Sequence, residues 1–353
     1  MDELKKITDY LRVAVEMGGS DLHLSSGAPP AARIDGVLKP LEEFCLDDDA
    51  TKKLILDTLT ESQRAELEDD WELDFAIEVD GVGRFRGNAH YIHGHVEASF
   101  RHIPTEIPDL ATLGHYPVVE QICQQRRGLV LLTGITGSGK TTTLASIVSR
   151  ISETRSGVII TVEDPIEFVY PHLSCLVKQR EIGKDTKSFP RALRQALRQD
   201  PDVIVVSELR DLETIRIALT AAETGHLVIA TLHTVDAPQS VDRLVDVFPH
   251  DQQQQIVAQL ASVLQAIVSQ RLITRSDGQG RVLASEVMLM NHGLRNCIRE
   301  RKIEQMVGLM EIGQGEGMHT IDESLAHLLE SNQITLQEAL YNCRDHKRFD
   351  PPS

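Results

Sequence analysis

The chain has 353 residues, enough for about two domains with substantial cores. Asp and Glu outnumber Lys and Arg by 53 to 36, a formal net charge of -17, so the overall field disfavours a nucleic-acid partner. No apolar run approaches the roughly 18 residues of a membrane span, and the charged, amphipathic opening MDELKKITDYLRVAVEMG is unlike a signal peptide. A cytoplasmic protein is expected. Cys45, Cys123, Cys175, Cys297 and Cys343 are scattered without a C-x-x-C pair, which argues against a disulfide framework or structural zinc; they read as buried small apolar residues or inert thiols.

Apolar positions at Leu4, Ile7, Leu11 and Val15 predict a helix over 3–17, stopped by Gly18-Gly19. Runs at 22–24, 31–34 and 37–41, the last two joined across Asp35-Gly36, predict antiparallel strands. Helical segments near 47–58 and 61–68 precede alternating strands at 71–79, 82–92 and 96–103, with Asp80-Gly81 as a second hairpin signal. An α+β domain is therefore expected over 1–103. Pro104-Thr105-Glu106-Ile107-Pro108-Asp109, with Gly114 and Pro117, gives 104–117 linker composition. Over 118–353 the pattern becomes α/β, with buried strands at 129–133, 158–162, 203–206 and 227–231 between helices. That predicts a mainly parallel sheet with ligands at its strand C-termini. Beyond about 252 the chain reads as largely helical, starting with an amphipathic segment carrying Ile256, Leu260, Val263, Leu264 and Ile267.

The run 134–141, GITGSGKT, fits the P-loop pattern G-x-x-x-x-G-K-[ST] at a strand-to-helix turn. Its glycines let successive backbone N–H groups converge on phosphate oxygens at the positive end of the following helix. ATP is expected against Gly134, Thr136, Gly137, Ser138 and Gly139. Lys140 is expected to reach the β- and γ-phosphates, Thr142 continues the contacts, and the Thr141 hydroxyl suits Mg²⁺. Hydrolysis also needs a polarised water, and two carboxylates stand at strand ends for it. Glu163 follows Val158-Ile159-Ile160-Thr161-Val162 and is a candidate general base or water-orienting group. Glu208 follows Asp202-Val203-Ile204-Val205-Val206-Ser207, the form of a Walker B strand, and could bind in the Mg²⁺ shell or activate water. The sequence does not divide these roles between them.

His233 ends the strand 227–231 on the same edge and reads as a γ-phosphate sensor, whereas His226 at the opposite end reads as structural. Asp211 has the position of a helix N-cap. Arg84, Arg86 and Arg101 lie on strands of the first domain, with Arg84 and Arg86 on one face; they suit transition-state stabilisation or an exposed strand face. Arg191, Arg194 and Arg198 form a basic stripe at helical spacing, read as a solvated face or as intersubunit ion pairs, with nucleotide contact as the second reading.

Taken together, GITGSGKTTT (134–143), IITVEDPIEFV (159–169), SFPRALRQALRQDPDVIVVSELRD (188–211) and AAETGHLVIATLHT (221–234) resemble the Walker A, Asp, Walker B and His boxes of the secretion-ATPase superfamily. Further matches at 20–41, 241–249 and 293–300 resemble its type IV pilus retraction ATPases over nearly the whole chain. The resemblance implies a PAS-like N-terminal domain, a RecA-like ATPase domain with C-terminal helices, and a ring homohexamer with nucleotide near arginines of an adjacent subunit. It implies pilus depolymerisation by turning an inner-membrane platform protein, at the cytoplasmic face of the pilus base, with a paralogous retraction ATPase as a further partner.

Several positions depart from the family pattern. Ile135 replaces a proline, Thr141 a serine, and Ser207 a glycine beside the phosphates. Tyr91-Ile92-His93-Gly94-His95 lacks the usual arginine, which leaves Arg84, Arg86 and Arg101 as the arginine candidates. In GLRNCIRE, the stretch the family uses for retraction, Leu294, Cys297 and Ile298 share a helix face and Arg295 and Arg299 are read as facing away. The alternatives are a pilus-extension or type II secretion ATPase, a noncatalytic nucleotide-binding accessory subunit and a nucleic-acid motor.

Overall fold

The computed structural model describes residues 5–34, 36–103 and 106–349. Leu4 of the first helix, Asp35 of the first hairpin signal, and Pro104 and Thr105 of the linker stretch lie outside them. The chain divides between Glu106 and Ile107 into two compact units, each with its own sheet.

The N-terminal unit contains strands β1 (Gly19–Leu24), β2 (Ala31–Ile34), β3 (Val37–Pro40), β4 (Glu72–Val79), β5 (Gly83–Ile92) and β6 (His95–Ile103). They form an antiparallel sheet in the order β3-β2-β1-β6-β5-β4. Period-two alternation sends Leu22, Leu24, Phe75, Phe85, Ala89 and Phe100 to one face. There they meet Tyr10 and Leu11 of helix Ile7–Glu16, Ile55 of helix Asp48–Leu56 and Leu67 of helix Glu61–Asp70. Gly87 stands in register between Phe75 and Phe100, and those rings meet edge to face at 5.7 Å. A Cβ on Gly87 would lie 2.4 Å from the Phe75 ring, so the glycine is what lets the aromatic pair close over the strand. The opposite face is polar, with Arg33, Asp21, Arg101 and Arg86 in adjacent register positions.

The C-terminal unit holds β7 (Gly128–Thr133), β8 (Gly157–Glu163), β9 (Cys175–Glu181), β10 (Val203–Val206), β11 (Leu227–Leu232), β12 (Leu264–Thr274) and β13 (Arg281–Leu289). Their order is β13-β12-β7-β11-β10-β8-β9. All pairings are parallel except β12 with β13. Helices cover both faces, so the central strands are continuous apolar runs rather than alternating ones. Successive residues feed opposite cores: Leu129, Leu131, Ile204, Val206 and Val228 join one, Val130, Leu132, Val203, Val205 and Ile229 the other.

The chain beyond 252 is not largely helical: helix His250–Val263 stops at Leu264, and Leu264 and Ile267 belong to β12. Their spacing from Leu260 fits a helix face, but a doubly buried strand shows the same apolar density and periodicity alone cannot separate the two. Arg295 does not face away. From helix His292–Glu300 it donates to the Ala261 and Ser262 carbonyls at 2.6 and 3.0 Å, the unpaired last-turn acceptors of helix His250–Val263. Leu294, Cys297 and Ile298 are buried on one face as expected. Cys45 is exposed, whereas Cys123, Cys175 and Cys297 are buried.

The C-terminal helices are fastened to β13 through Glu286, which is 1% exposed. Its carboxylate accepts from Ala237 N at 2.8 Å and Ile321 N at 3.4 Å, the first turns of two helices, and pairs with Arg344 at 3.0 Å. Burial pushes the Glu286 carboxyl upward, and Arg344 and the two N–H groups oppose it. Arg344→Ala leaves that carboxylate buried without its cation and is expected to cost roughly 2–4 kcal/mol, below the value for a fully buried pair because Arg344 is partly exposed. Denaturant midpoints check this: Arg344→Ala should fall below wild type, and Glu286→Gln/Arg344→Ala should recover part of the loss. Equal midpoints for all three proteins would show that the Glu286–Arg344 pair does not contribute to stability.

Candidate active site

β7 delivers the chain into the P-loop and helix Lys140–Thr154 carries it away. The loop depends on Gly134, at φ +142°, where a Cβ would lie 2.4 Å from Ser138 Oγ and 2.5 Å from the Gln270 carbonyl oxygen. Gly137 and Gly139 also have positive φ, which turns successive N–H groups toward one concavity. Lys140 is buried, and its ammonium donates to the Gly134 and Ile135 carbonyls at 2.7 and 2.9 Å. Burial lowers its pKa, while Glu208 and Glu167 oppose that shift. Thr141 and Thr142 are half-buried in the first turn, and Thr136 is exposed at the loop's outer side.

The strand order β7-β11-β10-β8 places the P-loop, His233, Glu208 and Glu163 side by side along one sheet edge, at about 4.8 Å per strand. Three of the four are linked. Thr136 Oγ1 and His233 Nδ1 are 3.5 Å apart, His233 Nε2 stands 3.3 Å from Glu208 Oε1, and Arg210 donates to Glu208 Oε2 at 2.6 Å. Partial burial pushes the Glu208 carboxyl up, but the Arg210 hydrogen bond and the neighbouring charges outweigh it and hold it below the usual range.

Glu163 is in a different environment. It is 4% exposed, and Oε1 accepts from Thr161 Oγ1 at 2.6 Å and from Gln179 Nε2 at 3.0 Å. Burial dominates and raises its pKa, with the two hydrogen bonds opposing. Gln179 is itself fixed: Nε2 also donates to the Phe168 carbonyl at 2.8 Å and Oε1 accepts from Tyr170 N at 2.9 Å. Beneath the P-loop helix, Thr143 Oγ1 meets Gln270 Nε2 at 2.9 Å and His115 Nε2 at 2.8 Å. Burial, with His319 nearby, lowers the His115 pKa to about 4, which keeps that ring neutral near pH 7.

Ser207, where the family pattern has glycine, is half-buried, and its carbonyl accepts from Thr231 Oγ1 at 2.5 Å. Asp211 caps helix Leu212–Glu223 by accepting from Thr214 N. His226 bonds the Ala221 carbonyl at 3.0 Å, at the strand end away from the site. Arg84, Arg86 and Arg101 share a face of the N-terminal sheet, Arg86 directly opposite Arg101. Arg101 pairs with Asp21 at 2.8 Å and Arg86 with Asp74 at 3.4 Å. Sequence reasoning missed Gln179, Arg210 and Gln270. Gln179 lies on the unforeseen β9, and Gln270 on the segment read as helical; only Arg210, two residues after Glu208, was within reach of a motif.

Residues 98–341 match the family model for type II/IV secretion system protein. The type IV pilus retraction ATPase PilT of Pseudomonas aeruginosa is 45% identical, over 97% of this chain and 99% of its own length. The type IV pilus ATPase PilU of the same organism is 39% identical over 94% of this chain and 86% of its own length. Among solved structures, the pilus retraction motor PilT with bound ADP superposes with a TM-score of 0.92 at 47% identity, covering 97% of this chain and 98% of that one.

Gln179→Leu tests the setting of Glu163. It deletes a donor to the carboxylate form, so the carboxyl pKa should rise further and, as pH falls, a base that works only when ionised should be lost sooner. The acidic limb of the pH profile for ATP turnover is expected to move upward, because one hydrogen bond to the charged form is gone. An unmoved limb would show that Glu163 ionisation does not govern turnover.

Proposed function

This chain belongs to the PilT family of type II/IV secretion ATPases, and from that membership we propose that it is an ATP-hydrolysing motor that drives type IV pilus retraction. The observation that carries the reading is the row of P-loop, His233, Glu208 and Glu163 on one edge of a parallel sheet. The row sits in a chain that follows the retraction ATPase PilT almost end to end.

In this reading the loop N–H groups from Gly137 to Thr142 cradle the β- and γ-phosphates. Lys140 exchanges the Gly134 and Ile135 carbonyls for phosphate oxygens, which are stronger acceptors for a half-desolvated ammonium. Glu163, with its raised pKa and its hydrogen bonds from Thr161 and Gln179, holds the attacking water and takes its proton. Glu208, kept anionic by Arg210, is the charged partner at the phosphates. His233 reaches from Thr136 to Glu208 and senses the γ-phosphate. Thr141 and Glu208 are hard oxygen donors that suit Mg²⁺, which when bound neutralises charge on the phosphate oxygens. Arg84, Arg86 and Arg101 are assigned to transition-state charge.

The reading extends to a homohexamer that acts on an inner-membrane platform protein from the cytoplasmic side, with a PilU-like paralogue as a second motor. Among the described residues no helix is long and apolar enough to cross a membrane. Two measurements test the proposal. Purified wild type should release phosphate from ATP, with Lys140→Ala and Glu163→Gln each reduced at least about 100-fold, in line with loss of a phosphate clamp or a general base. Wild type, but not Lys140→Ala, should restore retraction to a hyperpiliated, nonretracting strain. Failure of wild type to restore it rejects the retraction role, and rescue by Lys140→Ala rejects ATP-driven work.

A further inference from the structure

Beyond the end of β9 the chain turns through Gly183 into Lys184–Lys187 and then helix Phe189–Ala196. This turn and the helix's first residues line an open concavity of about 560 Å³, a size that suits a small ligand. Four cations line it, Arg180, Lys184, Lys187 and Arg191, in a protein whose net charge is -17. Cations gathered around a concavity favour an anion held among them.

The acidic groups at the cavity are already engaged with the backbone. Asp185 Oδ2 accepts from Glu181 N at 2.8 Å, and Glu181 accepts from Ile166 N at 3.3 Å and pairs with Lys184. Arg180 donates through Nη2 to the Asp185 carbonyl at 2.9 Å, yet its Nη1 is buried and has no acceptor. Among the described residues the Lys187 ammonium and Arg191 guanidinium have no hydrogen-bond or ion-pair partner either. Three residues on, Arg194, which does not line the cavity, is paired with Glu213. A buried guanidinium N–H without an acceptor is costly, and a phosphate-type anion matches a guanidinium fork flanked by ammonium groups.

We propose that this cavity is a second anion site, distinct from the P-loop, that binds a phosphate-bearing small molecule. It occupies the edge strand of the same sheet, with β8, β10 and β11 between it and β7. It adjoins the active-site region through Glu181, which holds both Lys184 at the cavity and the backbone of Ile166, three residues after Glu163. An anion that draws Lys184 away from Glu181 therefore acts on a carboxylate that anchors the loop after the candidate base.

Inorganic pyrophosphate, titrated calorimetrically without Mg²⁺, tests the site. Wild type should bind two per chain. Lys140→Ala should keep one, and Lys184→Gln/Arg191→Gln, which changes only exposed side chains, should also keep one. The triple variant should bind at least tenfold more weakly than Lys140→Ala. Circular dichroism and thermal melting establish that each variant is folded. The proposal is overturned if Lys140→Ala abolishes all binding, or if its remaining site is unaffected by Lys184→Gln/Arg191→Gln. It is equally overturned if a polyglutamate peptide binds Lys140→Ala where pyrophosphate does not, which would assign the cavity to an acidic chain.

Discussion

Everything in the C-terminal unit follows from a sheet that is buried on both faces. Strands β7, β10 and β11 expose none of their side chains, so no polar chemistry can sit along them at acceptable desolvation cost. It is displaced to the strand ends, where a loop can carry it. Parallel pairing then brings those ends to one edge. The P-loop, His233, Glu208 and Glu163 come from segments up to about a hundred residues apart, and the sheet brings them together because each ends a strand in the same sense.

That constraint also explains how much of the fold was legible. Short apolar runs without alternation, such as Val203-Ile204-Val205-Val206, fit doubly buried parallel strands, and four of them were found this way. The same logic failed at β12. Its residues sit between β7 and β13, but the apolar spacing carried on from helix His250–Val263 without a glycine or proline break. Local pattern had no means of showing that Leu264 is already extended. β9 escaped for the opposite reason: as an edge strand it mixes Leu176, Lys178, Gln179 and Arg180 with buried Cys175 and Val177, and so lacks the continuous apolar run that marked the other strands between helices.

The site was legible where a motif fixes a backbone shape and opaque where a side chain arrives from another element. Gly134 is such a case, because the close approach of Ser138 and the Gln270 carbonyl permits no Cβ. Gln179 is the converse. Its importance lies in being opposite Thr161 across β8 and β9, with its amide spent on Glu163, Phe168 and Tyr170. No spacing in the sequence encodes that register. Arg295 illustrates the same limit, since helical periodicity placed it off the apolar face but could not show that the end of another helix lay beside it.

The two carboxylates that sequence could not tell apart are separated by their surroundings. Glu163 loses water and gains only neutral donors, Thr161 and Gln179, so its proton affinity rises toward the range in which a carboxylate can take a proton during turnover. Glu208 loses less water and gains Arg210 and His233, so it stays ionised and is a poor proton acceptor. Pairs of acids pushed in opposite directions by burial on one side and by cations on the other take different parts in catalysis. The division proposed here, base for Glu163 and fixed charge for Glu208, rests on that contrast. It also accounts for the neutral character of the groups around Glu163: a cation in place of Gln179 would draw its pKa down and leave both acids suited to the same task.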